Sequence, residues 1–319
     1  MVLAVAKLFF TFFTLSFANG VPAVRMTPQA YLQELSDVLS RVSGYRFADV
    51  PYTRRSPTRD LFSPIQRVRR LVGIQALCKL STNKDQCFAI LRSIRRQDIQ
   101  RFDLGSKAVL GLAIHESPAG HGIGYGKWLS KSVASYYNVE SGSWRVAPFP
   151  GAFFAIGEAL TFLASQATFS ELPWLELEIK KYAEAFRSTH DHLRVRWLLG
   201  SLYYAQQKNP DSSWVNDEIS YVTDWLKTKQ ARSGCFYDQR TRISGQLSGL
   251  MLEGLSYFHR EDSIDPAMKS ISSGFLRCVL AQRPLRIWRR GGRIDGLGHA
   301  GNAVATMLGA PSGANFGKR

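Results

Sequence analysis

The sequence predicts an all-α protein, an (α/α)6-type toroid of alternating outer and inner helices. Three observations carry that prediction. Helical periodicity recurs along the 319 residues, while period-2 strand runs are nearly absent. The helices are of two kinds, and the two kinds alternate. The inner kind begins near residues 62, 104, 148, 190, 242 and 294, an interval of roughly 42 to 52 residues, which is the size of a repeated supersecondary unit.

In order, the predicted helices cover 27–42, 62–79, 83–98, 104–115, 126–138, 148–167, 169–187, 190–207, 212–229, 242–260, 265–283 and 294–308. Ser63 before Pro64, Ser170 before Glu171 and Asp265 before Pro266 supply the start signals of a cap followed by proline or an acid. "ELPWLELEIKKYAEAF" and "SSWVNDEISYVTDWLKTKQ" carry one apolar and one charged face. "PGAFFAIGEALTFLAS", "LRVRWLLGSLYYA", "ISGQLSGLMLEGLSYF" and "GLGHAGNAVATMLG" are small and apolar nearly all round. A helix of the second kind is buried on every side, and one of the first kind covers it. Each interior glycine weakens its helix by about 1 kcal/mol relative to alanine, so glycine is expected where backbones must approach closely. Six outer–inner pairs are expected to close on themselves. The competing arrangement is an open solenoid, which relies on polar capping repeats.

The first residues, "MVLAVAKLFFTFFTLSFANG", have one early charge at Lys7, an apolar run from Leu8 to Phe17, and small residues at Ser16, Ala18 and Gly20. This is the pattern of a secretory signal. The run is shorter than the roughly twenty apolar residues a membrane span needs. The expected organisation is a signal peptide over 1–20, one toroid domain over 21–309 and a flexible tail over 310–319. An uncleaved anchor is the alternative for the first segment. The protein is expected to be secreted or periplasmic, with no transmembrane span in the mature chain. Cys78, Cys87, Cys235 and Cys278 suit an oxidising compartment and allow three pairings. Cys78–Cys87 would span a helix-to-helix turn and leave Cys235–Cys278; free buried thiols are the other reading. No C-x-x-C or C-x-x-H spacing is present, so neither a structural zinc nor any other metal or cofactor is expected.

The net charge is +16, and it is uneven: residues 1–101 hold sixteen Lys/Arg against six Asp/Glu, and Arg277 to Arg293 hold six arginines and no acid. Such a field concentrates anionic partners. An exported protein meets acidic polysaccharides and other polyanionic envelope glycans rather than nucleic acid. A basic surface that only maintains solubility is the plainer reading.

The links place the site. Those leaving inner helices are short: "KLSTN", "SQATFS", "QKNPDS" and "REDSID". Those arriving at the N-termini of inner helices are longer and chemically richer, among them "NVESGSWRVAPFPG", "KQARSGCFYDQRTRISG" and "QRPLRIWRRGGRIDG". In a toroid they gather on one rim, where helix N-termini favour anions. Trp144 and Trp288 offer flat faces for sugar rings. Arg145, Arg194, Arg240, Arg242, Arg289, Arg290 and Arg293 offer planar recognition of carboxylate or sulfate. Asp238 and Asp295 are the carboxylate pair for glycoside hydrolysis. Tyr237, His192 and His299 are the bases for proton abstraction beside a uronate carboxylate. The competing roles are structural: Asp295 caps its helix, Asp238 pairs with a neighbouring arginine, His299 is a buried histidine bonded within the core. "THDHLR" is read as a helix start with Asp191 as cap rather than a metal site. "IHESPAGHGIGYG" falls on the opposite rim and is read as loop geometry.

"SGCFYDQRTRISGQLSGLMLEGLSYF" (233–258) and "GGRIDGLGHAGNAVATMLG" (291–309) resemble the turn, polar loop and glycine-spaced helix seams of α/α-toroid carbohydrate-active enzymes, namely six-hairpin glycosidases and glucuronyl C5-epimerase-like domains. The resemblance covers about residues 140–309 and is architectural. It implies a carbohydrate cleft at the inner-helix N-termini and transfers no catalytic residue. The second segment is also similar to a His-Gly seam of lanthionine cyclases. Their zinc needs a Cys–His neighbour pair, whereas Gly298 precedes His299 here. The expected function is that of an exported enzyme acting on a uronate or sulfated polysaccharide, with hydrolysis placed ahead of elimination or epimerisation on the supply of carboxylates. A non-catalytic glycan- or envelope-binding module, or a partner-binding scaffold, is the alternative. The sequence sets no oligomeric state.

Overall fold

The computed structural model describes residues 26–34, most of 71–79, 89, 91, 92, 94–117, 124, 126–146, 152–237, 243–260, 266–281 and 294–307. Among them the fold is all-α, interrupted by two short hairpins. The named elements are α1 (Arg96–Gln100), α2 (Leu104–Glu116), α3 (Gly126–Ala134), β1 (Tyr137–Asn138), β2 (Ser143–Trp144), α4 (Ala152–Gln166), α5 (Pro173–Thr189), α6 (Val195–Lys208), α7 (Ser213–Lys229), β3 (Phe236–Tyr237), β4 (Ile243–Ser244), α8 (Gly245–Ser256), α9 (Pro266–Leu280) and α10 (Ile294–Met307). Residues 28–34 and the described part of 71–79 are also helical.

The two kinds of helix separate into two layers, as their composition requires. Every residue of α2 except His115 is buried, and so is α6 from Val195 through Ala205. In contrast, α5 buries one stripe, Leu175, Glu178, Ile179, Tyr182, Ala183 and Phe186, and α7 buries Val215, Ile219, Val222, Thr223 and Leu226. The inner helices pack in chain order, α2 on α4, α4 on α6, α6 on α8 and α8 on α10. Residues 71–79 are bonded to helices at both ends of that series. Gln75 donates to Glu116 of α2 at 2.7 Å, and Lys79 donates to Thr306 of α10 at 3.2 Å.

Glycine permits the close approach. A Cβ on Gly157 would lie 2.7 Å from the Tyr182 hydroxyl and 2.8 Å from Trp197 Cβ and Cγ. Trp197 Cβ is fixed by its backbone and cannot swing aside. Overpacking of this kind costs about 1–3 kcal/mol, against roughly 1 kcal/mol gained in helix propensity. Gly157→Ala is therefore predicted to destabilise the protein by about 1 kcal/mol, within a range of about 0–2 kcal/mol, in urea denaturation with unchanged helix content. A stability above that of the wild type would show a loosely packed inner layer.

Several boundaries differ from the sequence expectation, each for a local reason. The helix predicted over 83–98 is interrupted: Arg95 is extended (φ −77, ψ 148) and α1 starts afresh, with Ile94 and Ile99 both reaching the core. The helix predicted over 126–138 ends at Ala134. There Asn138 accepts from the backbone N–H of Glu140 at 3.0 Å and Gly142 takes φ +59, so the chain turns back as the β1–β2 hairpin. The helix predicted from 169 starts instead at Pro173, whose ring suits the first helical position. The reciprocal bonds expected of a capping box join Thr168 and Glu171, not Ser170. Asp191 is the expected cap, accepting from Leu193 N–H at 3.0 Å, but it opens a 3-10 turn, His192–Arg194, that leads into α6. The inner helix predicted over 242–260 is shortened by β4 at its start and by a 3-10 turn, Phe258–Arg260, at its end.

Cys235 and Cys278 are disulfide-bonded, which ties the link before α8 to α9. Cys78 is disulfide-bonded as well, and Cys87 lies outside the described residues. So do the expected signal peptide, the tail, and Ser63 with Pro64. Among the described residues no helix is long and apolar enough to cross a membrane.

Candidate functional site

Four links reach the N-terminal ends of inner helices within the described residues, and residues 101–103 are the one before α2. The β1–β2 hairpin precedes α4, the His192–Arg194 turn precedes α6, and the β3–β4 hairpin precedes α8. These three meet. The Arg194 guanidinium lies 4.7 Å from the Phe153 ring at the start of α4 and 5.0 Å from that of Tyr182, and it faces Asp191 at 3.7 Å. The His192 ring lies 5.7 Å from Phe236 of β3. One end of the inner layer therefore gathers neighbouring links.

The structure places the candidate residues unequally. Tyr237 is 37% exposed on β3, and Arg145 is exposed beyond β2. Trp144 is committed to packing: its indole N–H donates to Glu178 at 2.9 Å, and its ring meets Tyr137 and Trp174 edge-on. Arg194 is stacked and half-buried. Asp238, Arg240, Arg242, Trp288, Arg289, Arg290 and Arg293 lie outside the described residues, and Asp295 is described only as a backbone position in the first turn of α10.

Beneath these links lies a group that the sequence reading divided. Arg196, the second residue of α6, has a fully buried side chain. It meets Glu158 of α4 at 2.7 Å and Glu253 of α8 at 3.0 Å. Glu253 also accepts from Asn302 at 3.0 Å and lies 2.5 Å from Nδ1 of His299, both on α10. Four inner helices thus contribute to one cluster. Its side chains are at most 1% exposed apart from His299, at 13%. His299 is the partly exposed member.

Burying charge is expensive unless each group is paired, and the cluster pairs them. Burial alone would raise the Glu253 carboxyl, but the Arg196 guanidinium and His299 outweigh it and hold the group at about 2. Arg196 is held well above its ordinary value: burial opposes its charge, and Glu158 and Glu253 outweigh that burial. An ionised carboxylate only accepts, so the Glu253 contact puts a proton on Nδ1 of His299. Nε2 is then the nitrogen left to exchange a proton, the arrangement by which a carboxylate orients a histidine base.

The low Glu253 value has a consequence for acid stability. A carboxyl depressed in the folded state contributes stability that is complete above its ordinary value of 4.5 and is lost as pH falls towards about 2. The loss over that window is predicted to be on the order of 3 kcal/mol. Denaturation midpoints at pH 5, 3 and 2 would show it as a slope that Glu253→Gln removes. A flat profile for the wild type would contradict the depressed value.

Of this cluster, sequence reasoning singled out His299 and did not name Glu158, Arg196, Glu253 or Asn302 as candidates. Their signal was present: Glu158 and Glu253 are each the only charge in an otherwise apolar inner helix, and Arg196 is the only charge in the buried stretch Val195–Ala205 of α6. Such residues need partners within the core. No family model, curated protein or solved structure matches this chain. What fold and site define is an all-α class of paired outer and inner helices, with a charged, buried cluster under the links at one end.

Proposed function

We propose that the protein acts on an acidic polysaccharide, with His299 as its base and the basic links as its binding rim. The observation that carries this reading is the His299–Glu253 pair. It is a partly exposed imidazole oriented by a buried carboxylate, which Arg196 and Asn302 hold in turn. This geometry suits proton abstraction, whereas Asp238 and the side chain of Asp295, the pair expected for hydrolysis, lie outside the described residues. Nε2 of His299 takes the C5 proton of a uronate, and the electron pair moves onto the sugar carboxylate, where arginine offsets the charge. Expulsion of the C4 oxygen, which takes the abstracted proton back from His299 as the C–O bond breaks, then yields an unsaturated uronate and a shortened chain. Delivery of a solvent proton to the opposite face of C5 instead yields the epimer and leaves the abstracted proton on His299 to pass to solvent. The net charge of +16, the arginine-rich links and the resemblance of 140–309 to α/α-toroid carbohydrate-active enzymes support the substrate class. In the same reading the six outer–inner pairs close into a ring, the first 20 residues direct export, and the protein is secreted or periplasmic.

The test is a screen of uronate and sulfated glycans at low and moderate salt. Bound glycans are then incubated with protein in deuterated solvent and examined for unsaturated uronates or for deuterium at C5. Salt-sensitive binding followed by either product is the expected result. Absence of binding at low salt would overturn the reading. Binding without a product would assign the protein to the second class, a non-catalytic glycan-binding module.

A further inference from the structure

A second buried charged cluster lies further along the inner layer. Glu116, the last residue of α2, meets Lys79 at 2.6 Å, with both side chains at most 4% exposed. It also accepts from Gln75 at 2.7 Å and from the Tyr204 hydroxyl of α6 at 3.0 Å. The His299 mechanism uses none of these groups. A continuous path nevertheless joins the two clusters. Lys79 donates to the Thr306 hydroxyl at 3.2 Å, Thr306 donates to the Asn302 backbone carbonyl at 2.7 Å, and the Asn302 amide donates to Glu253 at 3.0 Å. Glu253 then holds Nδ1 of His299. The fully buried Tyr257 phenol, just past α8, stands between the clusters: burial raises it first, Glu116 next, and Arg196 and Glu253 both act on it.

We propose that Lys79 and Glu116 are positioning residues for His299, acting through the buried Thr306–Asn302–Glu253 path. The inference rests on His299 as the base. Lys79 joins residues 71–79 to both α2 and α10, so it also sets where α10 stands relative to its neighbours. Among the described residues, the titratable groups on the elements around α10 are Glu253 of α8, Tyr257, His259 of the Phe258–Arg260 turn, Arg196 of α6, and Lys79. Lys79 and Glu116 neutralise each other. Removing one changes the buried charge near the imidazole by one unit, and the sign of that change depends on which is removed.

The experiment reads the His299 imidazole by NMR titration of the full chain, independently of turnover. Lys79→Met, which removes a buried positive charge, is expected to raise the His299 midpoint by about one pH unit, and Glu116→Gln, which removes a buried negative one, to lower it by a similar amount. The double variant is expected to return close to the wild type. Opposite signs distinguish charge coupling from general loosening, which moves both variants alike. Shifts in the same direction, or shifts below about 0.3 unit in folded variants, would overturn the proposal. Should either single variant fail to fold, Tyr204→Phe removes one donor from Glu116 without altering a charge. A smaller upward shift is then expected, and an unchanged midpoint would overturn the inference. Coupling in a protein that turns over no glycan would refute the catalytic reading alone. Turnover without coupling would refute this inference alone.

Discussion

Arg196→Met is expected to destabilise the protein by about 3–5 kcal/mol, a large share of the roughly 5–15 kcal/mol that holds an ordinary domain folded. The substitution keeps much of the side-chain volume and removes the charge. It leaves Glu158 and Glu253 buried at about 1% exposure without the guanidinium that both face. Glu158→Gln in the same chain is expected to recover part of the loss, because one of the two stranded charges is removed. Urea denaturation of the single and double variants, with circular dichroism as the readout, checks both statements. A single variant within about 1 kcal/mol of the wild type would show that the cluster takes up water and does not depend on Arg196.

His299→Gln is expected to reduce turnover by about 10²- to 10⁴-fold, with KM little changed. Glutamine retains an N–H for Glu253, so the buried carboxylate stays satisfied, but it offers no basic nitrogen in place of Nε2. Thermal melting should therefore stay close to that of the wild type while kcat falls. Unchanged kcat on a glycan that the protein converts would remove His299 from the chemistry and return attention to Tyr237 and the β3–β4 link. Loss of kcat together with loss of folding would make His299 a structural partner of Glu253.

Much of this architecture is legible in the chain because helix type is a local property. "ELPWLELEIKKYAEAF" alternates apolar and charged residues at helical spacing and became a half-buried outer helix. "LRVRWLLGSLYYA" is apolar on every side and became an inner one. Where the expectation slipped, a competing local interaction decided. Asn138 turned the end of a predicted helix into a hairpin, and Pro173 set the start of α5. The candidate site was less legible. His299 stood out as an imidazole one turn into a small-residue helix, but its partner lies 46 residues earlier. Arg196 and Glu253 are 57 apart, and Lys79 and Thr306 are 227 apart. The cost of burying charge says that each must find a partner, yet it does not say which one. By itself, then, the sequence determined an all-α chain of two alternating helix kinds with isolated charges inside the apolar ones. Only the tertiary structure decided which charges meet, because the pairing depends on the height at which each inner helix stands beside its neighbour. That height follows from close packing at positions such as Gly157, not from any periodicity along the chain.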